Sequence, residues 1–412
     1  MFFNFRSKNE NASFLITLSL LLTMVSFSIA LTSVQILMDD IIEEFSLLGA
    51  NQGMTNAMFN FGSLIAVLSV IFIKGRVKKT AMLSLSAVAM AVSMFFIGYS
   101  PFFVIVLFFC LFAGTFGGWV DAYTNSMIMD SHRENSSAYI GALHASYALG
   151  AVLTPIAIHF LLLRFDWHNA YYILSLVSLL AALQFVVTAR IYRKRLNVSS
   201  DEKRLSMREI QKFAGDKYNL LLIIACFFYS AAQVGQISWL VRYMNVNFPG
   251  SGIWTQITVS LYWLGVFVCR MTYPFIKADH LKMILFSLCA PAIAHASAVL
   301  SGNEIVFIAA TLFCGLTGGM AMPLLVNESL SRYRGNTSLA LSGLYVCGKV
   351  GMTVMPALMG VYAALSLDFS MLLADFSFLV SALIIFAAIS VKKTDSLLKK
   401  VFFKFMRFRK RA

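Results

Sequence analysis

The chain alternates between long apolar runs and short polar segments. Each run has about 20 residues or more, the length that a helix needs to cross the hydrocarbon layer of a bilayer. We therefore predict an all-α integral membrane protein with twelve transmembrane helices in two six-helix bundles. The predicted spans are 13–38, 51–73, 80–99, 102–129, 137–163, 168–189, 218–246, 252–276, 281–300, 304–329, 337–364 and 369–391.

Composition supports a membrane protein and argues against a soluble enzyme. Of 412 residues, 59% are hydrophobic and only 13% are charged, whereas soluble domains are about 25% charged. The six cysteines all lie inside apolar runs without CxxC spacing, so we expect neither disulfides nor a zinc site. No catalytic signature is visible either, and we expect no enzyme activity, no metal and no cofactor.

Basic residues concentrate in alternate loops. Of the 33 Lys and Arg residues, 29 fall on one side, which the positive-inside rule assigns to the cytoplasm together with both termini. The net charge of +14 thus reflects topology, and we expect no nucleic-acid partner. The predicted units are an N-terminal bundle (1–189), a cytoplasmic loop (190–217), a C-terminal bundle (218–391) and a basic cytoplasmic tail (392–412). The tail either anchors on anionic lipid or serves topology alone.

The two predicted bundles resemble each other at an offset of 201 residues. Span 5 reads LHASYALGAVLTP at 143–155 and span 11 reads LYVCGKVGMTVMP at 344–356, with Leu, Gly and Pro in register. The same offset places GTFGG at 114–118 on GLTGG at 315–319, and Gln35 on Gln236. Such repeats are typical of transporters, in which two pseudo-symmetric bundles flank the ligand path.

On these motifs the whole chain resembles the major facilitator superfamily, and within it the fucose–proton symporters. GGWVDAYTN supplies Asp121 and Asn125 in span 4, LHASYALGAVLTP supplies His144 in span 5, and LGVFVCR ends on Arg270 in span 8. The resemblance implies that Asp121 couples protons or contacts the substrate. It also implies that Arg270 belongs to an inner gate and bonds a helix end in one state.

Ionisable residues inside the spans are candidate functional groups, because each costs a few kcal/mol at bilayer depth. Asp121 is a candidate proton carrier or a structural carboxylate paired with a neighbouring helix. Lys349 would either contact an anionic substrate or pair with Asp121 or Asp375. His144 titrates in the useful range and is a second candidate for proton coupling, or else a packing residue.

Two further titratable residues are expected to have minor roles. Asp375 lies a turn or two into the last span, where water could reach it, and His295 has no motif around it, so we expect a structural role.

Amides and one indole form the predicted polar lining. Gln35, Gln233, Gln236 and Trp239, together with Asn125, would suit a polyhydroxylated ligand, since amides both donate and accept hydrogen bonds. The alternative is that the amides only hold helices together.

These observations favour a secondary active transporter that imports a small sugar-like or sugar-acid solute with a proton. The alternative is a proton-antiporting exporter of amphipathic or anionic compounds. A receptor without transport activity is less favoured, because the spans carry charges and no soluble domain is visible. We expect a monomer in a bacterial inner membrane, with the solute, protons and lipid as its partners.

Overall fold

A computed structural model of the protein describes residues 8–73, 77–132, 136–192, 215–332 and 337–409. Within these ranges the regular structure is helical. The α-helices are α1 Lys8–Ile36, α2 Met38–Glu44, α3 Met54–Ile73, α4 Lys79–Tyr99, α5 Phe103–Ser131, α6 Ser136–Leu162, α7 Trp167–Ile191, α8 Lys217–Asn247, α9 Ile253–Thr272, α10 His280–Ser301, α11 Glu304–Gly318, α12 Ala321–Arg332, α13 Thr337–Ala363 and α14 Leu367–Arg409.

The helices confirm the predicted fold of a multi-pass membrane protein. Eleven segments of the described chain are long and apolar enough to cross a membrane, and α11 and α12 together form one of them. The remaining predicted span is α9, which is less apolar and packs between α6 and α11. Asp and Asn side chains cap the N-termini of four of these helices, namely α7, α8, α10 and α11.

Three predicted spans differ from the observed helices. The first span ends at Ile36, and the short helix α2 follows after Leu37. The tenth is broken between Gly318 and Ala321, where two glycines precede Pro323 in the first turn of α12 and weaken helix continuity. The last helix does not end at 391 but continues to Arg409, because no Gly or Pro interrupts it.

Equivalent glycines make equivalent contacts in the two bundles. Gly114 packs against the backbone of α3, and Gly315, 201 residues later, packs against the backbone of α9. Gly150 packs against α1, and Gly351 packs against α8. Each position leaves no room for a Cβ atom, so these glycines permit close helix contacts that offset their low helix propensity. The internal repeat is therefore a repeat of packing geometry.

The two bundles meet mainly through α3 with α13 and through α6 with α9. At one end of this interface, the turn Gly49–Gly53 packs against Pro356 and Gly360 of α13. In the contact between α6 and α9, the Ser260 hydroxyl of α9 donates a hydrogen bond of 2.8 Å to the Val152 carbonyl of α6. We refer to the end of the molecule that holds α2 and this turn as the α2 end, and here the bundles are closed against each other.

Candidate functional site

Helix α5 presents a carboxylate and an amide at the interface between the bundles. Asn125 follows Asp121 by four residues and therefore shares its helix face. The Asn125 Nδ2 donates to the Asp121 Oδ1 at 2.8 Å and to the Asp121 backbone carbonyl at 2.9 Å. Both side chains are half-buried, so the pair predicted from the sequence is formed and keeps some accessible surface.

Helix α13 places a cation opposite Asp121. The charges of Lys349 and Asp121 interact across the interface. Tyr345 of α13 lies within electrostatic range of the same Asp121 carboxylate. Among the described residues, no carboxylate lies within the 4.0 Å of an ion pair with Lys349. An anionic or hydroxylated ligand could therefore contact the ammonium group without first breaking a direct salt bridge.

Helices α6 and α9 complete the interface with aromatic and basic groups. The rings of Tyr147 and Trp263 meet edge to face with their centroids 5.6 Å apart. Arg270 interacts electrostatically with His144 and Tyr147, which brings the predicted gate residue close to the predicted proton site. Its Nε donates to the carbonyl of Gly319 at 3.3 Å, directly after the end of α11. This is the kind of contact that the resemblance implied, while the gating role stays a prediction.

The predicted amide lining divides between different neighbours. Gln233 lies beside the Tyr262 side chain of α9. Gln236 donates to the Asp375 carboxylate of α14 at 2.7 Å, and the Trp239 indole donates to the Pro356 carbonyl of α13 at 3.1 Å. Helix α8 is enclosed by these helices, so residues one turn apart reach different partners. Gln236 and Trp239 thus lie inside the C-terminal bundle in the described conformation, and their place in a ligand lining stays a prediction.

Gln35 is also enclosed. It lies on α1 with 2% of its surface exposed, and its Oε1 has no hydrogen-bond partner among the described residues. Asp375 corrects a further expectation, since it is 3% exposed and therefore does not lie in a wet position.

An ion-pair cluster at the α2 end was missed from the sequence. The Arg242 guanidinium of α8 donates to the Asp39 carboxylate of α2 at 2.8 Å, and Asn245 donates to the other oxygen at 2.7 Å. Glu43 lies 3.6 Å from the same guanidinium. We call these four residues the α2 latch, because they join the two bundles where the interface is closed. The acidic residues at 39–44 follow span 1, and Arg242 lies near the end of span 7, but nothing in the sequence pairs them.

Asp40 adds a titratable group beside the latch. Burial, and the neighbouring charges of Asp39 and Glu43, raise its pKa to about 7. This carboxyl group lies outside the membrane-spanning helices, so its protonation responds to the pH on that side.

Comparison with known proteins establishes the family. The profile of the Major Facilitator Superfamily matches residues 16–282, which is well over half of the chain. The chain belongs to the Major Facilitator Superfamily. Members of this superfamily are transporters and not an enzyme class. Among the described residues, no group of three His, Cys, Asp or Glu side chains could hold a metal ion.

Individual relatives are distant. The chain is 24% identical over 252 residues to the glucose/mannose transporter GlcP of Bacillus subtilis (strain 168), a match over 58% of this chain and 60% of that transporter. Among solved structures, a bacterial homologue of the human lysosomal transporter Spinster, inward-facing and unoccupied, aligns with a TM-score of 0.72 at 16% identity over 93% of this chain and 98% of that one.

A second solved structure gives the same fold. A point mutant of the nucleoside transporter NupG aligns with a TM-score of 0.77 at 10% identity over 90% of this chain and 99% of that one. At these identities the structures show the shared superfamily fold alone. The finer resemblance to fucose–proton symporters stays a prediction.

Proposed function

We propose that this superfamily transporter imports a small sugar-like or sugar-acid solute together with a proton. The observation that carries the proposal is the Asp121–Asn125 pair on α5 with Lys349 of the other bundle within electrostatic range, at an interface where alternating access exposes a ligand to each side in turn. The named sugar specificity of the Bacillus subtilis relative supports a sugar as one part of the substrate class.

Each group has a distinct task in this mechanism. Asp121 binds the proton, and the Asn125 amide holds the carboxylate in place. Lys349 contacts a hydroxyl or carboxylate of the solute, and Gln233 supplies a neutral donor and acceptor. His144 relays or receives the proton beside Arg270, which bonds the end of α11 when the other end of the interface is closed.

We further propose that the described conformation faces the cytoplasm. The positive-inside rule puts both termini in the cytoplasm of a bacterial inner membrane, and the α2 end then faces outward. Because the bundles are closed at the α2 end, solute would leave on the cytoplasmic side in this state. The working unit in this proposal is a monomer.

The test adds candidate solutes to de-energised, weakly buffered cells that express the protein while the external pH is recorded. Neutral sugars such as fucose and glucose are paired with sugar acids. A transient alkalinisation by one solute, lost in the Asp121→Asn variant, is the expected result. A response to acids alone would assign Lys349 as the carboxylate contact. Silence across the panel, with drug sensitivity in a deletion strain, would replace the proposal with the proton-antiporting exporter.

A further inference from the structure

The C-terminal bundle encloses a second acidic group that the interface does not reach. Asp375 on α14 contacts His295 on α10, with the His295 Nδ1 at 2.8 Å from Oδ2 and 3.0 Å from Oδ1. Gln236 on α8 donates to Oδ1 at 2.7 Å. The three side chains are 2–3% exposed, in contrast to the half-buried Asp121. We call them the buried triad.

The triad is one proton short of charge neutrality when Asp375 is ionised and His295 is neutral. The His295 Nδ1 faces the carboxylate, while its Nε2 is buried without a hydrogen-bond partner among the described residues. With a neutral imidazole and an ionised Asp375, the cluster carries one negative charge in a low-dielectric interior. A proton added at Nε2 forms an imidazolium that neutralises the carboxylate. The two states therefore differ by one proton and one unit of charge.

The polar groups next to the triad donate to other acceptors, so the imidazole is the group that can exchange the proton. Cys314 of α11 interacts with Asp375 but donates its thiol to the Pro291 carbonyl. Toward the α2 end, the Phe307 ring lies 5.4 Å from the imidazole, and Tyr243, which stacks on Phe307, donates to Asp368. In the described part of the chain, no Lys or Arg forms an ion pair with Asp375.

The N-terminal bundle shows that the fold does not need the triad. At the offset of 201 residues, Asp375 corresponds to Leu174 on α7 and His295 to Met94 on α4. Both are buried, and their helices pack together as α14 and α10 do. Only the glutamine is common to both bundles. An ionisable pair therefore occupies a place that apolar side chains fill equally well, and at bilayer depth it costs free energy that packing alone does not require.

We propose that His295 and Asp375 form a second proton-binding site, which loads at the His295 Nε2 and is stabilised by the Asp375 carboxylate. The site acts on transport through α8. Gln236 precedes Trp239 by one turn, and the Trp239 indole bonds the Pro356 carbonyl, whose backbone packs against Gly53 at the closed end of the interface. Protonation of the triad therefore changes the interaction between Asp375 of α14 and Gln236 of α8. Helix α8 in turn bonds α13 at the closed end. The proposal extends the proton coupling proposed above and assigns it a site apart from Asp121.

The first test observes the imidazole itself and needs no solute. Purified protein with ¹⁵N-labelled histidine is titrated by NMR, and His295→Gln identifies the resonance. The His295 Nε2 signal is expected to change reversibly between its neutral and protonated positions as the pH is varied. Asp375→Asn should alter this change, because the carboxylate that faces the imidazole is lost. A His295 signal that stays in one protonation state throughout would overturn the proposal.

The second test rebuilds the N-terminal arrangement in the C-terminal bundle. The double variant His295→Met, Asp375→Leu copies a pair that already packs in this fold, and thermal unfolding checks its stability. For the solute identified by the alkalinisation assay, exchange of labelled for unlabelled solute should persist, while fewer protons enter per solute. His159→Gln is the matched control, because His159 is a histidine on α6 whose ring meets Phe160 edge to face and lies outside the triad. An unchanged proton-to-solute ratio in the double variant would refute the second site and leave Asp121 coupling intact. Silence of every solute would instead refute the proposed function, and the NMR titration would still decide the triad.

Discussion

Asp121 and Asp375 are two carboxylates at membrane depth with opposite surroundings. Asp121 is half-buried at the interface of the bundles and faces the cation of another bundle, whereas Asp375 is enclosed in its own bundle and faces a neutral-or-charged imidazole. A group at the moving interface changes its neighbours when the bundles rock. A group inside one bundle keeps its neighbours and changes only its protonation. The comparison separates the proposed solute contact, which requires the interface, from the proposed proton storage, which does not.

The largest effect is expected from removing the charge of Asp121. Asp121→Asn keeps the hydrogen bond with Asn125 but cannot ionise, so uptake against a gradient should be abolished while solute exchange remains. Radiolabelled uptake and counterflow in proteoliposomes measure the two. Asp166→Asn is the matched control, because Asn replaces Asp well as the N-cap of α7. Accumulation at the wild-type level in Asp121→Asn would remove the distinction between the two carboxylates.

Substitutions of Lys349 test whether the cation at the interface contacts the solute. A hydrogen bond to a charged group contributes about 1.5–3 kcal/mol, so Lys349→Gln should weaken binding of an acidic solute by roughly tenfold to a hundredfold. Lys349→Arg keeps the charge and should retain part of the affinity. Binding is measured by titration of the purified protein with the solutes that alkalinise the medium. Equal loss for neutral and acidic solutes would indicate a structural lysine.

The sequence predicted those parts of the site that lie close together along the chain. Asp121 and Asn125 share a helix face by spacing alone, and the glycine pairs followed from one repeated offset. Asp39 and Arg242 lie 203 residues apart, and His295 and Asp375 lie 80 apart, so only the folded chain shows which charges meet.

The partners of the α8 side chains could not be predicted from the sequence for a related reason. The spacing of Gln233, Gln236 and Trp239 indicates a common side, but a helix surrounded by α9, α13 and α14 has no single polar face. Gln236 and Trp239 form hydrogen bonds with partners on two different helices. A polar residue in a central membrane helix therefore indicates a buried hydrogen bond at least as strongly as it indicates a ligand.

The α2 latch adds two further acids, Asp39 and Glu43, which lie at the interface of the bundles but outside the spans. Arg242→Gln removes the ion pair with the buried Asp39. Exposed ion pairs contribute roughly 0.2–1 kcal/mol, and breaking a buried pair costs roughly 3–5 kcal/mol. The free energy that favours the closed α2 end should fall by an amount between these values. Spin labels at positions 48 and 365, at which the native leucines are 79% and 78% exposed, report the separation of the bundles. A larger share of long distances is expected. Arg164→Gln, at an exposed arginine, is the control. Identical distance distributions in Arg242→Gln and Arg164→Gln would contradict a latch.

Asp40 should have the smallest effect, and it has a defined sign. Its pKa is raised to about 7 in the closed form, so that form binds a proton which an exposed aspartate, with an ordinary pKa of 3.8, would already have released. Closure at the α2 end should therefore strengthen as the pH falls from about 7 toward 4, and weaken as it rises through this window. The same spin labels, followed across this range, should show the shift in wild type and a flat response in Asp40→Asn. Because the neutral amide mimics the protonated acid, the variant should match the wild type at low pH. A pH response that survives the substitution would assign the pH dependence to the buried triad and not to Asp40. Combining Asp40→Asn with His295→Gln would then separate the two sites.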